Sequence, residues 1–270
     1  MEIRKLGKSG LLVPVVGMGT WRTFDVRGEA AVAKARSVVD RAIEGGAAFF
    51  DSSPMYGEAE RVLSLALKGR RHAVQIATKV WADSVPQGWA QARRSLSFFG
   101  SCIELYQVHN LLNWEEHLEM IERLRDEGKV LAAGATHYSS SSFLELRRAM
   151  ESGRIEAVQI PYNVEQREVE QDILPLADDL GLGVVIMRPF GGGGLLRKAP
   201  SDKELAPLNP FGVNTWPQAL LKWILSDHRC HVAIPATSSD KHMLENTTAG
   251  RPPWFGAQER QYVMQLALRF

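Results

Sequence analysis

The chain has 270 residues, 45% hydrophobic and 23% charged, an ordinary globular composition with enough apolar side chain for one substantial core. Lys plus Arg is 32 against 31 for Asp plus Glu, so the net charge of +1 gives no excess that would draw a polyanion. No stretch approaches the roughly 20 apolar residues of a bilayer-spanning helix, and the opening MEIRKLGKSGLLVP lacks the apolar run and small-residue cleavage site of a secretion signal.

In chain order, residues 1–14 predict a short hairpin that could plug the floor of a larger sheet. Eight short apolar runs follow: VVGMGT (15–20), AAFFDSS (47–53), AVQIATKV (73–80), IELYQVHN (103–110), VLAAGATHY (130–138), AVQIPYN (157–163), GVVIMRPF (183–190) and HVAIPAT (231–237). Each is rich in Val, Ile or Ala and bounded by Gly, Asp, Asn or Pro, the signature of strands covered on both faces. Between them, stretches such as EAAVAKARSVVDRAIEGG, WEEHLEMIERLRDEGK and SSFLELRRAMESGR carry apolar residues three or four apart and close on glycine, as helices do. Ser141 with Glu145 reads as an N-terminal cap, and Gly128 and Gly153 as C-terminal ones. Residues 191–214 read as a long Gly/Pro-rich loop after the seventh strand, and the tail RPPWFGAQERQYVMQLALRF as one further amphipathic helix.

Strict alternation of strand and helix implies parallel strands with right-handed crossovers. Eight units predict a closed (β/α)8 TIM barrel with an N-terminal β-hairpin, one domain over residues 1–270. The alternative, an open doubly wound sheet, lacks its glycine fingerprint after the first strand.

In such a barrel the chemistry gathers at the C-terminal ends of the strands. The second strand ends at Asp51 with Tyr56 in its loop, the third at Lys79 and the fourth at His109. Three neighbouring strands thus bring a carboxylate, a phenol, an ammonium and an imidazole to one rim. A phenol is a reluctant acid at neutral pH, and an adjacent ammonium is expected to lower its pKa. The carboxylate makes that ammonium tolerable in a barrel mouth, the imidazole can orient a substrate oxygen, and Tyr56 becomes a proton donor to a carbonyl gaining negative charge. A lysine or tyrosine alone at such a position is more often a surface charge or loop packing; the joint placement is what carries the reading.

These residues sit within segments that resemble the aldo-keto reductase family: GMGTW (17–21), FDSSPMYGEAE, ATKV, YQVHN, GKVLAAGATHYS (128–139), VQIPYN, MRPFGGGG (187–194) and IPATSSDKHMLEN (234–246), in order along essentially the whole chain. The resemblance implies a barrel that binds NADPH, in preference to NADH, and passes hydride to an aldehyde or ketone. It implies Tyr56 as acid, Asp51 and Lys79 tuning it and His109 orienting the carbonyl. Carried over by position, Gln159 would touch the nicotinamide carboxamide, aided by Thr136 and His137, and Thr20, Trp21 and Asp51 would also bind the cofactor. Met187, Arg188, Pro189, Phe190, Gly191 and Gly193 would cover the nicotinamide and pyrophosphate. Pro235, Ala236, Thr237, Ser238, His242, Glu245 and Asn246 would hold the adenosine end. The family's commoner Ser-Asn pair appears as Thr136-His137, its nicotinamide-stacking tyrosine as Met187, and its 2′-phosphate cations as Ala236 and His242. An open, permissive substrate pocket is expected from Trp21, Met55, Trp81, His109 and Leu111.

Cys102 and Cys230 stand in no paired spacing and read as free thiols of the cytoplasm. DHRCH (227–231) gathers metal-type ligands in no zinc spacing, so no metal is expected. Trp114, Trp216 and Trp223 read as packing residues. A small-molecule carbonyl substrate, no nucleic acid, no membrane, and a monomer or small homo-oligomer complete the expectation. The rival function is a cofactor-binding redox sensor of the same fold; an aldolase-type barrel using Lys79 leaves residues 234–246 unexplained.

Overall fold

The computed structural model describes residues 1–269. A two-stranded antiparallel hairpin, β1 (Ile3–Lys5) and β2 (Leu12–Pro14), precedes eight parallel strands in sequential order: β3 (Met18–Gly19), β4 (Phe49–Asp51), β5 (Gln75–Val80), β6 (Ile103–His109), β7 (Val130–Thr136), β8 (Ala157–Pro161), β9 (Gly183–Met187) and β10 (Val232–Ala233). Parallel bridges Val16 to Ala233 and Gly19 to Ala236 join the first barrel strand to the last, so the sheet curls into a nearly closed (β/α)8 barrel. The seam strands are much shorter than the runs at 15–20 and 231–237. Pro235 has no N–H to give, and its carbonyl instead accepts from Gly19 N at 3.0 Å, so the ladder there runs largely one way.

Helices α1 (Glu29–Glu44), α2 (Ala59–Ala66), α3 (Val85–Phe99), α4 (Trp114–Asp126), α5 (Phe143–Glu151), α6 (Ile173–Asp179), α7 (Asp202–Leu205), α8 (Trp216–Leu225), α9 (Asp240–Thr248) and α10 (Ala257–Ala267) follow the strands. The first helix buries Ala35, Val38, Val39 and Ala42, a single stripe at helical spacing. Gly128 and Gly153 follow α4 and α5 at φ 68° and 72°, the left-handed geometry that ends a helix. The predicted cap at Ser141 lies one element early: Ser139 caps a 3₁₀ turn over Ser140–Ser142, and α5 begins after it. The 191–214 segment is not an open loop but a chain of short helical turns, including α7 with a Ser201/Glu204 capping box. The expected C-terminal helix is α10, with Val263 and Leu266 buried.

Period-two alternation sorts each barrel strand into an outer face against the helices and an inner face against the axis. At the lower level the inner face is apolar: Phe49, Ala77, Leu105, Ala132, Ala157, Val185 and Val232 form one cluster with Leu6, Leu11 and Val13 of the hairpin. The hairpin therefore stoppers the floor. A Cβ on Gly183 would lie 2.5 Å from Leu6 Cγ, so only glycine lets Leu6 seat there. Two residues further along the same strands, the inner face turns polar with Asp51, Lys79, Gln107 and Gln159, all buried. Trp216 and Trp223 are buried in the outer core, and Trp114 packs against it. Both cysteines are free thiols. No helix among the described residues is long and apolar enough to cross a membrane.

Candidate active site

Above the polar layer opens a cavity of about 500 Å³. At its base Lys79, fully buried, donates to Asp51 Oδ1 at 2.8 Å, Asp51 Oδ2 at 2.7 Å and the Ser52 carbonyl at 2.7 Å. Lys79 acts on Tyr56 first through its charge and also through a hydrogen bond to the hydroxyl, with Nζ 5.3 Å from the ring centroid. Burial opposes the ammonium, but the charge of Asp51 and the hydrogen bond to it outweigh it and hold the Lys79 pKa above its ordinary value. Burial likewise pushes the Asp51 carboxyl up, against the pull of Lys79.

Tyr56 ends a 3₁₀ turn, Pro54–Tyr56, whose first residue has its φ set by proline and whose N-cap, Ser53, accepts from Met55 N at 3.2 Å. Contrary to expectation, the Tyr56 pKa lies above that of a free phenol. Burial, reinforced by the Asp51 charge, exceeds the lowering by Lys79 and Arg188. Tyr56 is therefore protonated throughout the neutral range.

His109 closes β6, and the chain turns sharply behind it: Asn110 and Leu111 both take left-handed backbone, φ 54° and 58°. Its ring meets that of Tyr56 edge to face, centroids 5.6 Å apart and planes at 87°. Burial first, then the positive charge of Lys79, pushes the imidazole pKa down to about 3, so the ring is neutral at physiological pH.

The cavity wall includes the expected Thr20, Trp21, Met55, Gln159 and Met187, and the expected stretch Arg188, Pro189, Phe190 and Gly193 with Pro235 and Ala236. Thr136, His137, Gly191, Thr237, Ser238, His242, Glu245 and Asn246 lie outside its lining. Of these, His137 stacks on Tyr138 at 5.3 Å, Asn246 is buried, and Thr237 Oγ1 accepts from Ser239 N beside the start of α9. Trp81 and Leu111, expected in the substrate pocket, also lie outside it. The left-handed turn carries Leu111 into the core, and Trp81 is 41% exposed beyond β5, its backbone bonded to Gln91. Sequence reading missed Arg22, Thr23, Asn110, Tyr138 and Leu196, which also line the wall. Arg22 and Arg188 are the more telling, because both have left-handed backbone, φ 62° and 52°. A bulky residue held there is a signal visible only in dihedral angles.

Three features fit a dinucleotide. Gln159 Oε1 is buried with no hydrogen-bond donor among the described residues, in a residue that lines the cavity, and it suits an amide N–H. Arg22 stacks on Trp21 at 4.2 Å, and Arg188 lies 4.8 Å from the Tyr138 ring and 5.7 Å from Trp21. Neither guanidinium has a hydrogen-bond acceptor or carboxylate among the described residues, which leaves two cations facing the cavity for a phosphate. Gly192 and Gly193, at φ 66° and 96°, let the backbone of the neighbouring loop come close to such a ligand. At the opposite end of the barrel, Asp227, Arg229 and His231 of the DHRCH cluster are committed to structure. Asp227 pairs with Arg229 at 2.7 Å and His231 Nδ1 accepts from Val184 N at 3.0 Å. No group of three candidate metal ligands gathers among the described residues.

A sequence model described as the Aldo/keto reductase family matches residues 15–254. The chain is 31% identical over 229 residues to the uncharacterized oxidoreductase YrpG of Bacillus subtilis, covering 74% of this chain and 69% of that protein. It is 28% identical over 290 residues to "Probable aldo-keto reductase 1" of Glycine max, covering 91% and 83%. Among solved structures, an aldo-keto reductase from Klebsiella pneumoniae in complex with NADPH superposes with a TM-score of 0.82 at 24% identity, over 99% of this chain and 96% of that one. The holo form of aldo-keto reductase AKR11C1 from Bacillus halodurans gives 0.81 at 25% identity, over 98% and 96%.

Proposed function

This chain belongs to the aldo/keto reductase family, and we propose that it reduces aldehydes or ketones to alcohols with NADPH, Tyr56 being the proton donor. The observation that carries the reading is the pairing of the Tyr56 and His109 rings, edge to face at 5.6 Å, above the buried Lys79–Asp51 pair in a cavity of dinucleotide-compatible lining. When bound, the reduced nicotinamide supplies the hydride. Gln159 would meet its carboxamide, Arg22, Arg188 and the 191–193 backbone its pyrophosphate, and the segment from Pro235 to Asn246 its adenosine end. The missing firm cations at Ala236 and His242 weaken the hold on a 2′-phosphate, so NADH remains a second, weaker donor.

The residues of the chain then handle the oxygen. His109, uncharged, hydrogen-bonds the carbonyl oxygen without giving up a proton of its own. Tyr56 transfers its hydroxyl proton to that oxygen as negative charge builds there, so carbonyl, hydride and proton together give the alcohol. The phenolate left behind lies beside the Lys79 charge, which stabilises it only once the proton is leaving; a lysine that favours the transition state over the ground state raises turnover rather than affinity. Asp51 keeps that lysine charged in a site it could not otherwise occupy.

Tyr56→Phe tests this. Turnover of an aromatic aldehyde with NADPH should fall by about 10²–10⁴, the span of general acid catalysis, while NADPH binding measured by fluorescence quenching stays within a factor of about three. Undiminished turnover would remove Tyr56 from the mechanism.

A further inference from the structure

Ser53 is fully buried, and its hydroxyl meets both the turn that carries Tyr56 and the His109 ring. It accepts from Met55 N at 3.2 Å, which caps the turn that carries Tyr56, and it lies 2.9 Å from His109 Nδ1. A hydroxyl has one proton to give and two lone pairs. Met55 N–H occupies a lone pair, and His109 Nδ1 is the one acceptor within reach of the proton among the described residues. Were Nδ1 to carry hydrogen instead, the hydroxyl proton would be buried without an acceptor, a state disfavoured by about tenfold to a hundredfold. We propose that Ser53 is a positioning residue that donates to His109 Nδ1, fixes the imidazole as the tautomer protonated at Nε2, and thereby aims an N–H donor into the cavity at a fixed offset from the Tyr56 hydroxyl.

His109 Nε2 has no partner among the described residues and is not closed off from solvent, and the residue lines the cavity. With the ring neutral, the tautomer decides what that nitrogen does. Protonated, it donates to a carbonyl oxygen; unprotonated, it repels it. One hydroxyl thus sets both the angle of the acid and the polarity of its neighbour. The inference rests on the carbonyl-reductase reading for its kinetic consequence, but not for the tautomer itself.

The decisive measurement is the ¹⁵N–¹H long-range spectrum of imidazole-labelled full-length protein at pH 7, with His109 assigned through His109→Gln. Wild type should show His109 protonated at Nε2. Ser53→Ala should turn this into a mixture containing the Nδ1-protonated form and lower kcat for aldehyde reduction about tenfold, with the Kd for NADPH unchanged. Ser53→Thr, which restores the hydroxyl, should restore both the spectrum and most of kcat. A wild-type ring protonated at Nδ1, or a Ser53→Ala protein that keeps the Nε2 tautomer and full kcat, overturns the proposal. If Ser53→Ala does not fold, the wild-type spectrum and Ser53→Thr decide it. If the wild type reduces no carbonyl compound, the reductase reading fails while the spectrum still judges the tautomer.

Discussion

Asp51→Asn perturbs the site at its electrostatic root. The pair it breaks is buried on both sides, with side chains 0% and 3% exposed and a closest approach of 2.7 Å. Two of the acceptors around Lys79 Nζ belong to Asp51 and another is the Ser52 carbonyl. In the variant one Asp51 oxygen becomes an NH₂ group that faces an ammonium, and the balancing charge is gone. Removing one member of a buried pair typically costs about 3–5 kcal/mol. The amide oxygen and Ser52 still accept, which sets the expectation near the lower limit, about 3 kcal/mol. With the Asp51 charge gone, burial would also drive Lys79 toward its neutral form. Urea denaturation followed by circular dichroism at pH 7 measures the loss. The double variant Asp51→Asn/Lys79→Met removes both charges and should recover much of it while leaving catalysis abolished. A loss below about 1 kcal/mol for the single variant, or a double variant no more stable than the single, would show that the lysine finds other compensation and refute the reasoning.

Acid should act through His109. Its folded-state pKa of about 3 lies below the unfolded value of about 6.5; the unfolded chain therefore takes up the proton first as pH falls. The stabilisation is complete above about 6.5 and is lost progressively toward 3, by at most about 1.4 kcal/mol per pH unit. Urea midpoints for wild type and His109→Gln should converge between pH 6.5 and 4, and a constant gap would rule out a depressed imidazole. Behind β5, the buried Glu60 accepts from Thr78 Oγ1 at 2.7 Å and Ser95 Oγ at 2.8 Å. Glu60→Gln keeps an acceptor and should change stability by less than about 1 kcal/mol, whereas Glu60→Ala strands two buried hydroxyls and should cost about 2–4 kcal/mol. Equal losses in the two variants would show that cavity volume, not hydrogen bonding, governs the site.

Much of this architecture is legible in one dimension because the strands obey a period of two and the helices one of 3.6. Asp51, Lys79 and His109 could be placed at a rim simply by counting to the ends of apolar runs. What resisted was set by angles and depth. Leu111 looks like pocket lining when it is two residues past a strand, yet a left-handed φ of 58° turns it inward to the core. Arg22 looks like an ordinary loop residue and Tyr138 like the end of a strand run, and both instead form cavity wall. The sign of the Tyr56 shift differs from expectation for a related reason: the neighbouring lysine can be read from the chain, but the burial that outweighs it belongs to three dimensions. Ser53 was part of a recognised motif, yet its bond to a histidine 56 positions away exists only once two strand ends meet.

The hairpin stopper has a consequence for the medium around these charges. Leu6, Leu11 and Val13 keep water from rising through the barrel axis, so the ammonium and carboxylate are hydrated from the mouth or not at all. The local dielectric is then set by the occupant of that mouth. Anything that fills the space between Trp21 and Met55 dries the ion pair from above, and each charge beneath it acts more strongly on the phenol than it does in the open barrel.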